Sequence, residues 1–403
     1  MIQATSLEQT RARGPSLLLP AKAPQMAKDS TITFCDSTVS PVAGCSLPCL
    51  LWPHMETLRH SIGWYLGQEH EIPKAQALTY VGWAIEKLGI KTEADVYHLR
   101  VEFTFQTLAT SSILTDDLEE ARQHLERFIK AQFQCYAGLL HLRHGTNPLQ
   151  PDKAPSDGYG ESFREPTFFR GRMAEAANWS NLKGKPRPNK PWLNGLPRII
   201  LVSDMGEILS HGYSPEHVKS EIIDVVSSPK GRRHWWLWST RNAQGMAQFS
   251  VWMSRRGIQW PSNLVPLLSV NTRDDLEKLP ELFRVPSALR ALWAQPLLEP
   301  LLLDVEGIDW LIVGGEGGAH ANEFELNRAW QLRRYCSYKN VPFFMAQLGS
   351  APLIDGVAYS NNDGKNNIDW EHWPEEFRVR EIPELKFPRF SGQRSPNKRT
   401  QLP

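Results

Sequence analysis

Cys45 and Cys49 stand four residues apart in Gly44-Cys45-Ser46-Leu47-Pro48-Cys49, on a loop opened by Pro41 and Gly44. Two thiolates at that spacing on a turn can face one metal centre. A third is available from Cys135, in Gln134-Cys135-Tyr136-Ala137-Gly138, if the chain between folds back. Three thiolates suit a 4Fe-4S cluster with one open iron, whereas closed structural zinc needs a fourth ligand such as Cys35 or His54. The same pair also fits two ordinary small apolar side chains. Cys336, inside a late amphipathic segment, reads as a core residue.

Polar groups follow a series of short apolar runs. Ser203, Asp204 and Glu207 come after Val202, and Ser239-Thr240-Arg241-Asn242 after Trp238. Ser269 and Asn271 follow Leu268, Gln295-Pro296 follows Ala294, and Gln347 follows Ala346. In a parallel α/β fold the ends of the strands carry the functional side chains, so these residues would line one face. The segment Gly314-Gly315-Glu316-Gly317-Gly318 is the most informative of them, because glycines let backbone approach a ligand and Glu316 places a carboxylate beside it. That carboxylate could hold an amino group or a ribose hydroxyl. The segment is neither a P-loop nor a dinucleotide fingerprint, since it lacks the Lys-Ser/Thr ending and the G-x-G-x-x-G spacing.

The elements that must position these groups are legible as alternation. After Pro197, apolar runs at 198–202, 234–238, 264–270, 289–294, 310–313 and 341–345 alternate with helical patterns at 215–226, 243–256, 273–282 and 323–338. Such alternation predicts βαβ units and a parallel sheet with right-handed crossovers. With a further strand near Thr31 to Phe34, the reading is an α/β fold, a complete or partial TIM-like barrel, carrying an inserted N-terminal helical subdomain. The divisions expected are a disordered tail over 1–29, a first strand and Cys loop over 30–53, and a helical insertion over 54–145. An irregular connection then covers 146–196, βα repeats 197–350, and a C-terminal extension with a basic tail 351–403. Within the insertion, Thr115-Asp116-Asp117 can cap a helix whose face is Leu118, Ala121, Leu125, Phe128 and Ile129.

Composition sets the outer limits. The 403 residues hold 45 Lys+Arg against 44 Asp+Glu, a net charge of +1, which argues against wholesale electrostatic binding to a polyanion. No apolar stretch reaches the length of a membrane helix, and no signal-peptide pattern opens the chain. The expectation is a cytoplasmic protein without a membrane partner, whose five cysteines are free, metal-binding or catalytic.

Residues 32–45, Ile-Thr-Phe-Cys-Asp-Ser-Thr-Val-Ser-Pro-Val-Ala-Gly-Cys, resemble the opening of the phage gp-thirty-seven/gp-sixty-eight proteins, also called three-Cys-motif proteins. Their pattern there is roughly I-x-W-x-D-x-T-x-N-P-x-x-G-C. Later landmarks of that family stand in order: Leu51-Trp52, Cys135-Tyr136-Ala137, Val202 to Gly206, Ser239-Thr240-Arg241, Leu268-Ser269-Val270, Asp309 to Glu316, and Pro342 to Gly349. The resemblance implies a barrel similar to the radical S-adenosylmethionine (SAM) enzymes, with Cys45, Cys49 and Cys135 as cluster ligands. Asp204, Arg241 and Glu316 would be the catalytic candidates. Ser203, Ser269, Gly314, Gly315, Glu316 and Gln347 would contact cofactor or substrate. This chain departs from the family pattern at Cys35 (often Trp), Ser40 (often Asn), Gln295 (often Glu) and Ala346 (often Lys), losing a carboxylate and an ammonium able to move protons or hold charge.

The competing expectation is a phage- or mobile-element-related binding protein without chemistry, its cysteines holding zinc or nothing. Its partner would be another protein or a nucleic acid, gripped by the basic tail Arg389 to Arg399 and stacked on some of the 15 Trp. More plainly, Trp235, Trp236 and Trp238 belong to a strand core and the tail to solvent.

Overall fold

A computed structural model describes residues 17–18, 26–47, 135–144, 159–160, 163, 165–210, 214–304, 306–317, 321–359 and 370–384. The N-terminal part supplies β1 (Leu17–Leu18), β2 (Met26–Ala27), β3 (Ser37–Val39), β4 (Val42–Ala43), α1 (Tyr136–His144), β5 (Thr167–Phe169) and α2 (Arg172–Ala177). Then come β6 (Ile199–Val202), α3 (Pro215–Val218) running through a π turn into α4 (Asp224–Ser227), β7 (Trp235–Thr240), α5 (Ala243–Ser254) and β8 (Leu264–Ser269). The last part holds α6 (Leu279–Phe283), β9 (Ala291–Ala294), β10 (Trp310–Gly314), β11 (Phe324–Glu325), α7 (Leu326–Lys339), β12 (Phe343–Gln347), β13 (Pro352–Ile354) and β14 (Val357–Ala358).

Eight strands form one sheet in the order β12-β10-β9-β8-β7-β6-β3-β2, with every neighbour parallel except the β2–β3 pair. Its strands are buried on both faces, which is why they read as unbroken apolar runs. Alternate residues divide between two layers. Ile200, Val202, Trp236 and Trp238 pack outward on α2, α3, α4 and α5. Leu292, Leu311, Val313 and Met345 pack outward on α6 and α7.

The opposite face forms one cluster that runs from Leu201 through Leu237, Leu267, Ala291 and Ile312 to Phe344. Phe34, three residues ahead of β3, fills this concave side, with its ring 5.2 Å from Trp293 and 6.3 Å from both Trp310 and Phe344. Thr33 Oγ1 likewise donates to the Ala346 carbonyl at 3.2 Å. A segment joined to one end of the sheet thus touches the strand at the other end, and the sheet is curled into a half-barrel.

One sequence expectation changes here. The first parallel strand of the sheet is not Thr31 to Phe34 but Ser37–Val39, because Phe34 is the interior filler and pairing with β6 begins only at Ser37. The barrel is partial over the described residues: seven parallel strands, with antiparallel chain along both margins. Met26–Ala27 lines β3, while Met345 N donates to Val379 O at 2.8 Å and Glu381 N to Phe343 O at 3.0 Å along β12. The expected helical insertion lies outside the described residues except for α1, as do the Thr115 cap, His54 and the basic tail. No helix among the described residues is long and apolar enough to cross a membrane.

Candidate functional site

The polar residues that follow the apolar runs collect at the C-terminal ends of the parallel strands. At β6 the geometry turns on Ser203, a non-glycine residue at φ 65°. A straight continuation of the strand would aim Ser203 into the concave side and Asp204 outward. The left-handed residue reverses this. The Asp204 carboxylate instead accepts from Ser40 Oγ at 2.6 Å and from the Thr38 side chain, and Thr38 is in register with the concave Leu201. Such a conformation costs a serine on the order of 1 kcal/mol and persists where surrounding structure enforces it. Here Ser203 N is held by the Val39 carbonyl at 3.0 Å, and its buried hydroxyl has no hydrogen-bond partner.

Burial lifts the Asp204 carboxyl to about 6, against the opposing pull of the Ser40 and Thr38 hydrogen bonds and the Arg172 charge. Arg172, missed by the sequence reading, arrives from α2. Its Nη1 donates to the Ser40 carbonyl at 2.8 Å and its guanidinium lies 3.6 Å over the Phe169 ring. The sequence signal was a buried-looking Phe168-Phe169 followed by a glycine and a basic residue at a helix start.

The raised carboxyl has a consequence for stability. Between about pH 4 and pH 6 the folded protein holds the Asp204 proton more tightly than the unfolded chain, so stability is lost as pH rises through that window. Asp204→Asn keeps an acceptor for Ser40 and removes the burden. We expect the variant to exceed the parent by about 1 to 3 kcal/mol at about pH 8, and by little at about pH 4, in urea denaturation. A variant no more stable than the parent at the higher pH would show that the carboxylate is not a strained, desolvated group.

Glu207 is the second buried carboxylate, and burial raises it too. Its role is architectural: it accepts from Thr240 Oγ1 at 2.8 Å, Arg241 N at 2.9 Å and Leu209 N at 3.1 Å, tying the β6 loop to the end of β7. Arg241 reaches across to the Asn271 side-chain oxygen, and Asn271 Nδ2 donates to Pro296 O at 2.6 Å. Ser239 and Ser269 stand on the concave parity of β7 and β8, above Leu237 and Leu267.

The glycine pair is tightly enclosed. A Cβ on Gly315 would sit 2.5 Å from the Leu348 carbonyl oxygen and 2.7 Å from the Phe324 ring, and one on Gly314 would crowd Gln295 and the Gln347 carbonyl. The close approach is by the protein's own chain. Gln347 Nε2 donates to Gly315 O at 2.9 Å, and Glu316 Oε2 accepts from both Asn322 N and Asn322 Nδ2 at 3.0 Å, closing its own loop. Asp204, Arg241 and Ser269 thus stand at the ends of the neighbouring strands β6, β7 and β8, while Gly314, Gly315, Glu316 and Gln347 form a second group at β10 and β12.

The four described cysteines separate by environment. Cys35 lies in the concave cluster and Cys336 in the α7 core, and burial pushes both thiols up to about 12. Cys45 and Cys135 are half-buried. Cys45 N donates to Phe163 O at 2.7 Å, and the Phe163 ring lies 5.7 Å from that of His141 on α1, the helix that starts beside Cys135. The Cys45 loop also joins the β6 end, through Gly44 N to Met205 O and Glu207 N to Gly44 O. Cys49 lies outside the described residues, and no group of three metal-binding side chains converges among those described. Cys45 and Cys135 thus lie on segments linked through Phe163.

Fold and site define a mixed α/β protein with a curled parallel sheet and a polar mouth at its strand ends. The family model described as Protein of unknown function (DUF5131) matches residues 130–375, and the chain belongs to that family. No curated protein and no solved structure matches it.

Proposed function

We propose that this is a cytoplasmic, radical-SAM-like iron–sulfur protein, related to the phage three-Cys-motif proteins, in which Cys45, Cys49 and Cys135 hold a 4Fe-4S cluster. The observation that carries this reading is the sorting of the cysteines. Two are sealed in apolar clusters, and two are half-buried on segments joined through Phe163 at the edge of the β6 mouth. The partial TIM-like barrel supports it, since chemistry on such a fold gathers where strands end.

The chemistry such a group supplies when bound is delivery of one electron to the sulfonium of SAM, with cleavage of a carbon–sulfur bond. The protein's own residues bind and orient. Asp204, poised near neutrality in the concave mouth, can take up or release a proton at its carboxylate. Arg241, held by Asn271, presents a fixed cation, and Glu316 with Gln347 frames the opposite side. The phenylalanine and tryptophan floor beneath them keeps water out of the interior.

Anaerobic purification followed by iron, sulfide and zinc analysis tests this directly. About four irons with matching sulfide, lost in a folded Cys45→Ala/Cys49→Ala/Cys135→Ala variant and kept in Cys336→Ala, is the expected result. Zinc in place of iron, or iron indifferent to the triple substitution, would overturn it and favour a binding protein with a zinc or vestigial cysteine site.

A further inference from the structure

The end of the sheet opposite the polar mouth carries a charge pattern that the proposed chemistry does not use. The loops entering β6, β7 and β8 span 178–198, 228–234 and 255–263, and none contains an Asp or Glu. Lys183 and Lys185 are exposed on the first, Lys230, Arg232 and Arg233 on the second, and Arg255 and Arg256 on the third. Because β6, β7 and β8 are neighbours in the sheet, the three loops share one face.

Hydrogen bonds knit them together. Lys230 Nζ reaches Asn178 Oδ1, Arg233 Nη2 donates to Ala177 O at 3.0 Å, and Asn263 Nδ2 donates to Gly231 O at 3.2 Å and His234 O at 3.1 Å. The acids at the margin are Asp29 and Glu175, with Asp224 paired to Lys219 at 2.7 Å and Glu216 to Arg256 at 3.8 Å. The same end of the sheet turns acidic under β10, with Asp304, Glu306 and Asp309. A net charge of +1 over the whole chain therefore conceals a segregated surface.

We infer that this basic face docks the phosphate backbone of a nucleic acid. Charge complementarity calls for an extended anion, and the patch has seven cations spread over three loops rather than converging on one small site. An acidic membrane would ask for apolar groups to insert, yet the exposed large hydrophobics of the described residues, Tyr136, Phe283, Leu302, Trp330, Tyr338 and Val357, all lie outside these loops. The neighbouring aromatics are already engaged by the protein's own arginines, Arg198 over Trp179 and Arg256 over Trp252, so the contact is to backbone charge and independent of sequence.

The test is fluorescence anisotropy of the full chain with labelled duplex and single-stranded oligonucleotides of mixed sequence, over a salt series. Binding should weaken steeply with salt, at about 0.9 log units of affinity per log unit of salt for each duplex phosphate neutralised. Lys183→Glu/Lys185→Glu/Arg255→Glu, a change at three exposed side chains, should lower affinity at least tenfold and reduce the slope by about three. Arg334→Glu, on α7, should change neither. Absence of binding at low salt, or a reversal variant that binds like the parent, overturns the inference. So does preference for polyglutamate or for phosphatidylserine vesicles over the oligonucleotides. None of these outcomes bears on the metal content of the cysteine site.

Discussion

Arg187→Ala is expected to cost about 3 to 5 kcal/mol, a large share of the stability of an ordinary domain. The guanidinium is 8% exposed and faces an Asp36 side chain that is 6% exposed, with Nε on Oδ1 at 2.7 Å and Nη2 on Oδ2 at 3.2 Å. It also donates to the carbonyls of Leu193, Leu196 and Pro197. Removing it strips the buried Asp36 carboxylate of its hydrogen-bonded cation, leaving it only the charges of Lys190 and Arg198, and takes a donor from three carbonyls. Asp36 in turn takes the first amide of β6, Ile199 N, at 2.8 Å, so the damage falls on the strand that presents Asp204. Replacing both partners with apolar residues should cost clearly less than the single change, because no lone charge remains. Urea denaturation of the two variants decides the matter. A single variant within about 1 kcal/mol of the parent would mean that the pair is not what anchors the 178–198 loop.

Gly315→Ala should cost about 2 to 3 kcal/mol by overpacking. The new methyl would meet the Leu348 carbonyl oxygen at 2.5 Å, and that oxygen belongs to backbone that cannot swing aside. Relief requires β10 and β12 to part where Gly315 N bonds Gln347 O at 3.1 Å, which also displaces the neighbouring Glu316. Gly184→Ala provides the contrast: nothing lies within 4 Å of its Cβ position, and only its φ of +75° opposes the change, for about 1 kcal/mol. Thermal melts that rank the two variants the other way would refute the packing account. Amide exchange should localise the Gly315 effect to Gly315 and the end of β12.

The parallel sheet was legible because strands covered on both faces leave continuous apolar runs, as in Ile199–Val202 and Trp310–Gly314. The first strand was not, since Ser37 and Thr38 look like surface residues. They are buried only because Arg198 bonds Ser37 Oγ at 2.7 Å and Asp204 takes Thr38, partners more than 160 residues away. The rule that function follows strand ends placed Ser203 and Asp204 together. It could not decide which of them faces inward, because a left-handed serine breaks the alternation that the rule relies on. Arg172 escaped notice for a related reason: it meets Ser40 from a helix 132 residues along the chain, and no local pattern announces such a meeting. Gly314 and Gly315 were singled out for close approach to a ligand, and the structure shows a second demand that the sequence did not announce, from Leu348 and Phe324 beside Gly315.

The margins of the sheet also bear on where an autonomous folding unit can be cut. The family match covers residues 130–375, yet Phe34 and β3 lie before it and Val379 to Glu381 after it. Arg380 is packed over Trp192 at 4.0 Å, near Trp370 and Trp373, and donates to the carbonyls of Met345 and Ala346. A fragment trimmed to the matched range would therefore present two unpaired strand edges and an unfilled apolar hollow, the combination that drives edge-to-edge association. The span that the family model matches is shorter than the span these contacts tie together, and the difference includes two short extended segments that close the margins of the sheet.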